Sequence, residues 1–240
     1  MDSSSKRSSP VRQRLIEAAI AVLEQNGPEG LQARKLAAEI GASTMAVYTH
    51  FGGMPALLEE VAREGFRRFG RCLAGAARSE DPVADLLAMG LAYREFARGN
   101  SQLYRLMFGL TTPGTRVGGH RDVTAEGEPT SHAEGIDAFN HLVDVIERVR
   151  DAGRIGQADA VVVAGQVWST IHGFVLLEIA GFFGDDGEGL AQVLGPLIVN
   201  VLVGLGDSRD AVERSTRAAA ARTQLDASAR RLPGQHLLDR

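Results

Sequence analysis

An all-α fold follows from three features of this 240-residue sequence. Apolar residues recur at three- and four-residue spacing through most of the chain, and no stretch alternates with period two. Glycine and proline punctuate the periodic runs at helix length. Two short runs joined at Gly41-Ala42 have the proportions of a helix-turn-helix, so an N-terminal three-helix domain followed by a larger helical domain is expected.

Residues 11–25 place Val11, Leu15, Ala19 and Val22 on one face, with Arg14, Glu17 and Glu24 on the other. Asn26-Gly27-Pro28 stops that helix. Short helices are expected over 33–40, ending at Gly41, and over 44–50, with Ser43 as N-cap. Gly52-Gly53 breaks the chain again. A long helix follows with Leu57, Leu58, Val61, Gly65, Phe69, Cys72 and Leu73 inward. Arg63, Arg67 and Arg71 follow Glu60 and Glu64 by three or four residues, which reads as an exposed ion-pair ladder.

Asp81-Pro82 opens a helix carrying Leu86, Leu87, Leu91 and Phe96 and ending near Gly99. A short helix runs from Asn100 to about Gly109. Residues 111–130 lack periodicity and read as a loop. Ser131 to Glu134 reads as a capping box for a helix with Ile136, Phe139, Val143 and Ile146 on one face. An apolar helix over 158–181 and a last one over 189–205, with Pro196 as a kink or late start, complete the pattern. The expected division is a disordered arm over 1–10, the helix-turn-helix domain over 11–72, a second helical domain over 73–206, and a polar, frayed tail over 207–240.

Composition excludes several classes. Apolar residues make up 44% and charged residues 23%, ordinary for a soluble globular chain that builds its own core. A single cysteine, Cys72, allows no intrachain disulfide and reads as inert core. No secretory signal opens the chain. Ala160–Phe183 is long enough for a membrane span, but Gln166, His172 and Glu178 lie within it and acidic residues follow it, so a buried or interface helix is expected. No P-loop, Gly-x-Ser-x-Gly elbow or His-Glu-x-x-His occurs, and the histidines show no metal spacing, so neither an enzyme, a metal nor a cofactor is expected. Net charge is −4, yet residues 1–72 hold 10 Lys and Arg against 8 Asp and Glu, which places the docking site of any polyanion in the first quarter.

The second short helix carries the chemistry. Val47 and Phe51, four apart, anchor it inward. Ser43, Thr44, Met45, Ala46, Tyr48 and Thr49 remain outside, and none is acidic. Such a face can approach phosphates and enter a major groove. Residues 12–66, and above all Tyr48-Thr-His-Phe51 within the run from Gly27 to Val61, resemble the DNA-binding domain of the TetR family of bacterial regulators. The resemblance implies that Ser43, Thr44, Met45, Ala46 and Tyr48 face base edges and thymine methyls. It implies that Tyr48, Thr49 and His50 hold phosphates, and that Arg34 and Lys35 approach the backbone or an edge base. The sequence departs from the family pattern at Gly52 and Met54, where basic residues are common, and at Gln32, where Thr or Ser is usual.

Phe96 to Phe108 and Trp168-Ser-Thr-Ile-His-Gly173 resemble a TetR subgroup named for a Trp-His-Gly element, which implies a helical ligand-binding and dimerisation domain. Trp168 and His172 lie four apart on one helix face. They read either as core with a satisfied histidine or, with Tyr93, Met107 and Phe139, as the lining of an effector pocket. The whole implies a cytoplasmic, homodimeric regulator, a repressor by expectation. It would bind a palindromic double-stranded operator and be released by a small, largely apolar ligand, with no membrane partner. The alternative is a small-molecule binding protein that has lost specific DNA binding, for which Gly52 and Met54 are the support.

Overall fold

The computed structural model describes residues 10–76, 78–111, 119–184 and 186–230, with side chains up to residue 222. Helices and turns account for nearly all of them; the β features among the described residues come down to an isolated bridge between His120 and Thr130. The expected arm therefore lies outside the described residues except at Pro10, as does part of the 111–130 loop. The chain forms two compact units. One holds the residues up to Leu73 with Glu95–His141, and the other holds Ala74–Arg94 with the residues from Leu142 onward.

In the first unit, helix α1 (Pro10–Asn26) is followed by a single 3-10 turn (Pro28–Gly30), then α2 (Ala33–Glu39), α3 (Met45–Phe51) and α4 (Met54–Ala74). Leu15, Ile16, Ala19 and Leu23 of α1 are buried, as are Leu36 and Ala37 of α2, Val47 of α3, and Leu57 and Val61 of α4. Apolar periodicity thus delivers one side of each helix to a shared core, at about 25 cal/mol per Å² of buried apolar surface. Helix α6 (Ser101–Met107) reaches α4 at Gly65, where a Cβ would stand 2.7 Å from Cγ and Sδ of Met107. Only a residue without a side chain admits that approach. Phe66 meets Phe108 edge-on at 5.6 Å between centroids, and Phe69 lies 5.2 Å from Phe96.

The expected ion-pair ladder on α4 is present, with Arg63 at 4.0 Å from Glu60 and Arg67 paired with Glu64. Glu64, however, is buried rather than solvated, and it also takes Arg68 at 3.0 Å. Leu58 and Cys72 are half-buried rather than inward. The expected capping box at Ser131 does not form. Helix α8 (Ala133–Asp151) begins two residues later, Thr130 Oγ1 accepts from the His132 N–H at 3.2 Å, and Glu134 is drawn to Arg67 at 3.4 Å. A one-turn helix, α7 (Val123–Glu126), interrupts the expected loop, capped by Asp122.

The second unit holds most of α5 (Pro82–Gly99), the later part of α8, and α9 (Ala160–Ile179). Asp81 caps α5 by accepting from Val83 and Ala84 N–H at 3.1 Å, and Asp159 caps α9 by accepting from Val161 and Val162 N–H at 2.9 and 3.1 Å. Helix α9 is, by length and composition, apolar enough to cross a membrane. Eight of its residues are nevertheless buried in the protein, Glu178 among them. Helix α10 (Gly195–Gly204) follows a π-turn at Leu190–Leu194, in which Gly195 N–H bonds to the Leu190 carbonyl. Pro196 cannot donate to a preceding carbonyl, and the wider turn accommodates its ring.

The region expected as a frayed tail contains helix α11 (Arg209–Arg230). Val212, Ser215 and Ala219 repeat at helical spacing and are buried. Arg222 reaches Asp85 at 2.9 Å, and Arg154 reaches the Ser215 hydroxyl at 3.3 Å. Burial by itself would raise the Asp85 pKa. Hydrogen bonds from the Ser79 N–H and hydroxyl, then from Arg222 and Arg148, outweigh it and hold the carboxyl below its usual range.

Candidate functional site

The turn between α2 and α3 is built by backbone bonds. Gly41 adopts φ +67°, its N–H bonds to Ala38 O at 3.0 Å, and the Ala42 N–H returns to Ala37 O at 2.8 Å. That pair of bonds closes α2 and needs the left-handed residue that glycine supplies. Arg14 of α1 donates to Ile40 O at 2.7 Å and fastens the same turn from outside. Thr44, not Ser43, occupies the cap position of α3, and its side chain makes no capping bond. Gly52, at φ +81°, ends α3 by donating to Tyr48 O at 2.8 Å.

Within α3, Val47 is wholly buried and Phe51 is half-buried beneath the Arg12 guanidinium, 5.0 Å from the ring centroid. Arg12 is itself held by Glu60 at 2.7 Å. Met45 is 64% exposed and Tyr48 51% exposed. Ser43, Thr44, Thr49, Arg34 and Lys35 are also exposed, while Ala46 and His50 are half-buried. The Nδ1 atom of His50 is buried without a hydrogen-bond partner. The nine residues that the family resemblance singles out therefore fall on α3, its approach and the start of α2. The exposed ones include two large apolar groups that nothing in the described chain covers.

The second cluster lies in the other unit. The Tyr93 hydroxyl is 3.1 Å from Nδ1 of His172, and the Trp168 ring is 5.7 Å from the His172 ring. Burial drives the His172 pKa down to about 4, so its ring is neutral near pH 7. Directly beside Tyr93, Arg94 makes a two-pronged bond to Glu178, Nε to Oε2 at 2.9 Å and Nη2 to Oε1 at 2.5 Å, with both side chains almost fully buried. Tyr93, Trp168 and His172 thus come together. Phe139 and Met107 belong to the first unit, where Met107 is wholly buried against Gly65. Reasoning from sequence missed Arg94 and Glu178; the single acidic residue in an apolar helix is the signal that points to a buried cation partner. Among the described residues, no group of three or more His, Cys, Asp or Glu could hold a metal ion.

A seven-residue helix, anchored by the buried Val47 and the half-buried Phe51 and turning Met45, Tyr48 and Thr49 outward, rides on two supporting helices behind a glycine turn. That arrangement defines a helix-turn-helix DNA-binding protein. Residues 15–61 match the family model for bacterial regulatory proteins of the tetR family, and residues 86–201 match that for the tetracyclin repressor-like C-terminal domain. The chain belongs to the TetR family and is a DNA-binding transcriptional regulator. It is 27% identical over 176 residues to an uncharacterized HTH-type transcriptional regulator of Mycobacterium tuberculosis, Rv0681, covering 72% of each chain. A protein of unknown function from Rhodococcus sp. RHA1 is 29% identical with a TM-score of 0.66, over 83% of this chain and 97% of that one. RolR in complex with resorcinol shares the fold at 14% identity and a TM-score of 0.59, over 90% of this chain and 97% of its own.

Proposed function

We propose that this regulator is a cytoplasmic homodimeric repressor that a small, uncharged, largely apolar ligand releases from a palindromic operator. The observation that carries the DNA side is the outward face of α3. Met45 and Tyr48 stand exposed with Ser43, Thr44 and Thr49, and no carboxylate lies among them to repel phosphate. In this reading Ser43, Thr44, Met45, Ala46 and Tyr48 read bases, and Thr49, His50, Arg34 and Lys35 hold the backbone.

Dimerisation is supported by α9 and α10. Val162, Gln166, Ser169, Gly173 and Leu177 form an exposed stripe at helical spacing along α9, and Val193 and Leu197 are exposed around the start of α10. An isologous pairing through these helices would present two recognition helices to half-sites one helical turn, or a multiple, apart.

The effector reading places the ligand against Tyr93, Trp168 and His172. His172 is neutral and Arg94 is already matched by Glu178, so this cluster offers a charged ligand no counter-ion. The same fold accommodates a small phenol in RolR. Release requires that the ligand favour a state in which α3 no longer fits its groove.

The test pairs a mobility-shift assay, using duplex DNA from around the protein's own gene, with titration of Trp168 fluorescence by small phenols and other uncharged aromatics. The reading expects a retarded complex that a compound perturbing Trp168 dissolves. A DNA-releasing compound that leaves Trp168 unchanged and binds equally well to His172→Ala would place the effector elsewhere.

A further inference from the structure

We infer that Glu24 is the positioning residue that ties the scaffold of the helix-turn-helix to helix α6, so that operator binding and the state of α6 report on one another. The first turn of any helix leaves N–H groups without partners. On α6 the residue at the cap position, Asn100, does not fill that role. It has no side-chain capping bond, and its amide nitrogen is turned back to Phe96 O at 2.9 Å. The cap comes instead from α1. Glu24 Oε1 accepts the Leu103 N–H at 2.7 Å and Oε2 accepts the Gln102 N–H at 3.3 Å, across 79 and 78 residues of sequence.

Both ends of this tie lead somewhere. Glu24 lies next to Leu23, which is wholly buried in the core that also holds Leu36 and Val47, and Arg14 of the same helix fastens the turn at Ile40. At the far end of α6, Met107 sits against Gly65 of α4 with no room for a single added carbon, and Leu103 stands 3.1 Å from the same position. Helix α6 is thus held at its start by α1 and at its end by α4. A carboxylate gripping two backbone N–H groups is stronger and more directional than an apolar contact. It is made or broken as a unit, which suits it to a discrete switch between two arrangements.

Linkage makes the inference measurable without an effector. If operator binding fixes α1, it must change the stability of the α6 first turn, and by reciprocity a change at that turn must change operator affinity. The probe is a duplex selected by the wild-type protein from a random-sequence pool. The readouts are its affinity and amide hydrogen exchange at Gln102 and Leu103, with and without the duplex. Wild type should show a several-fold change in exchange at these two amides on binding. Glu24→Gln, which keeps the shape but loses the charge, should weaken that response. The double variant Glu24→Ala/Asn100→Asp gives α6 a local cap. It should protect the two amides yet show no response to the duplex, and its operator affinity should differ from wild type by threefold or more. Glu24→Ala alone should also lose thermal stability, as any lost cap would. A duplex response of wild-type size in the double variant would overturn the inference, as would a wild-type protein whose amides ignore the duplex.

Discussion

The hydroxyl of Tyr93 meets Nδ1 of His172 at 3.1 Å across 79 residues of sequence, and the next residue along, Arg94, grips Glu178 from the same helix. Two adjacent side chains of α5 therefore fix two polar residues of the long apolar helix α9.

The His172 contact sets a pH dependence. Its pKa falls from 6.5 when unfolded to about 4 in the fold, because burial disfavours the charged ring. The folded state binds fewer protons than the unfolded one between those values, so stability rises with pH through the window. The contribution is complete above pH 6.5 and disappears as pH falls towards 4. It amounts to roughly 2 kcal/mol after solvent screening of the half-buried ring. Urea unfolding at pH 7 and pH 4.5 should show wild type losing that much more stability than His172→Gln. Equal losses would show that His172 does not titrate in this window.

In the Arg94–Glu178 pair both partners are buried, whereas the ion pairs on α4 keep their arginines partly exposed. Removing one partner leaves a buried charge unmatched, at about 3–5 kcal/mol. Glu178→Ala should therefore unfold at markedly lower temperature. Replacing both, as in Arg94→Met/Glu178→Leu, should recover most of the loss in a calorimetric scan.

On α3, exposure separates the proposed base contacts from the residues that hold the fold. Tyr48→Ala should leave the circular dichroism spectrum and melting temperature unchanged while operator affinity falls about tenfold or more, the size of one good base contact. Val47→Ala should do the reverse in part, lowering stability by about 2 kcal/mol through the cavity it opens.

The proposed dimer would depend on residues that stay exposed in the single chain. Leu177→Arg or Leu197→Arg should give a folded monomer in sedimentation equilibrium, because both positions are exposed in the single chain. Leu202, on the same helix as Leu197, is wholly buried within the single chain. Leu202→Arg should therefore destabilise the fold itself.

Most helix ends were legible because local chemistry marks them: Asp81-Pro82, Gly41 and Gly52 cap or stop helices from within their own neighbourhood. What escaped depends on distant partners. Helix Arg209–Arg230 does carry local signals, Ser208 Oγ accepting the Ala211 N–H at 3.3 Å and a run of alanines, but its attachment does not show in the sequence, because Arg222 finds Asp85 across 137 residues and three of the described residues are buried. Ser131 and Glu134 carry a sound capping pattern, which Arg67 overrides by taking the glutamate. Helix α3 was readable from the glycines that bound it, Gly41 and Gly52. The grip of Arg94 on Glu178 and of Glu24 on α6 was not, since sequence gives the charge but not its address.

The division of labour inside α3 has an evolutionary consequence. Val47 alone is wholly buried there, while Ser43, Thr44, Met45, Tyr48 and Thr49 all point away from the protein. In the proposed reading, the vocabulary of DNA preference and the grammar of folding are thus written at different positions of one short segment. A library randomised at those five sites should remain folded almost throughout. On that reading, new target sequences can arise by single exchanges at those sites, while the rest of the chain passes unaltered to each descendant.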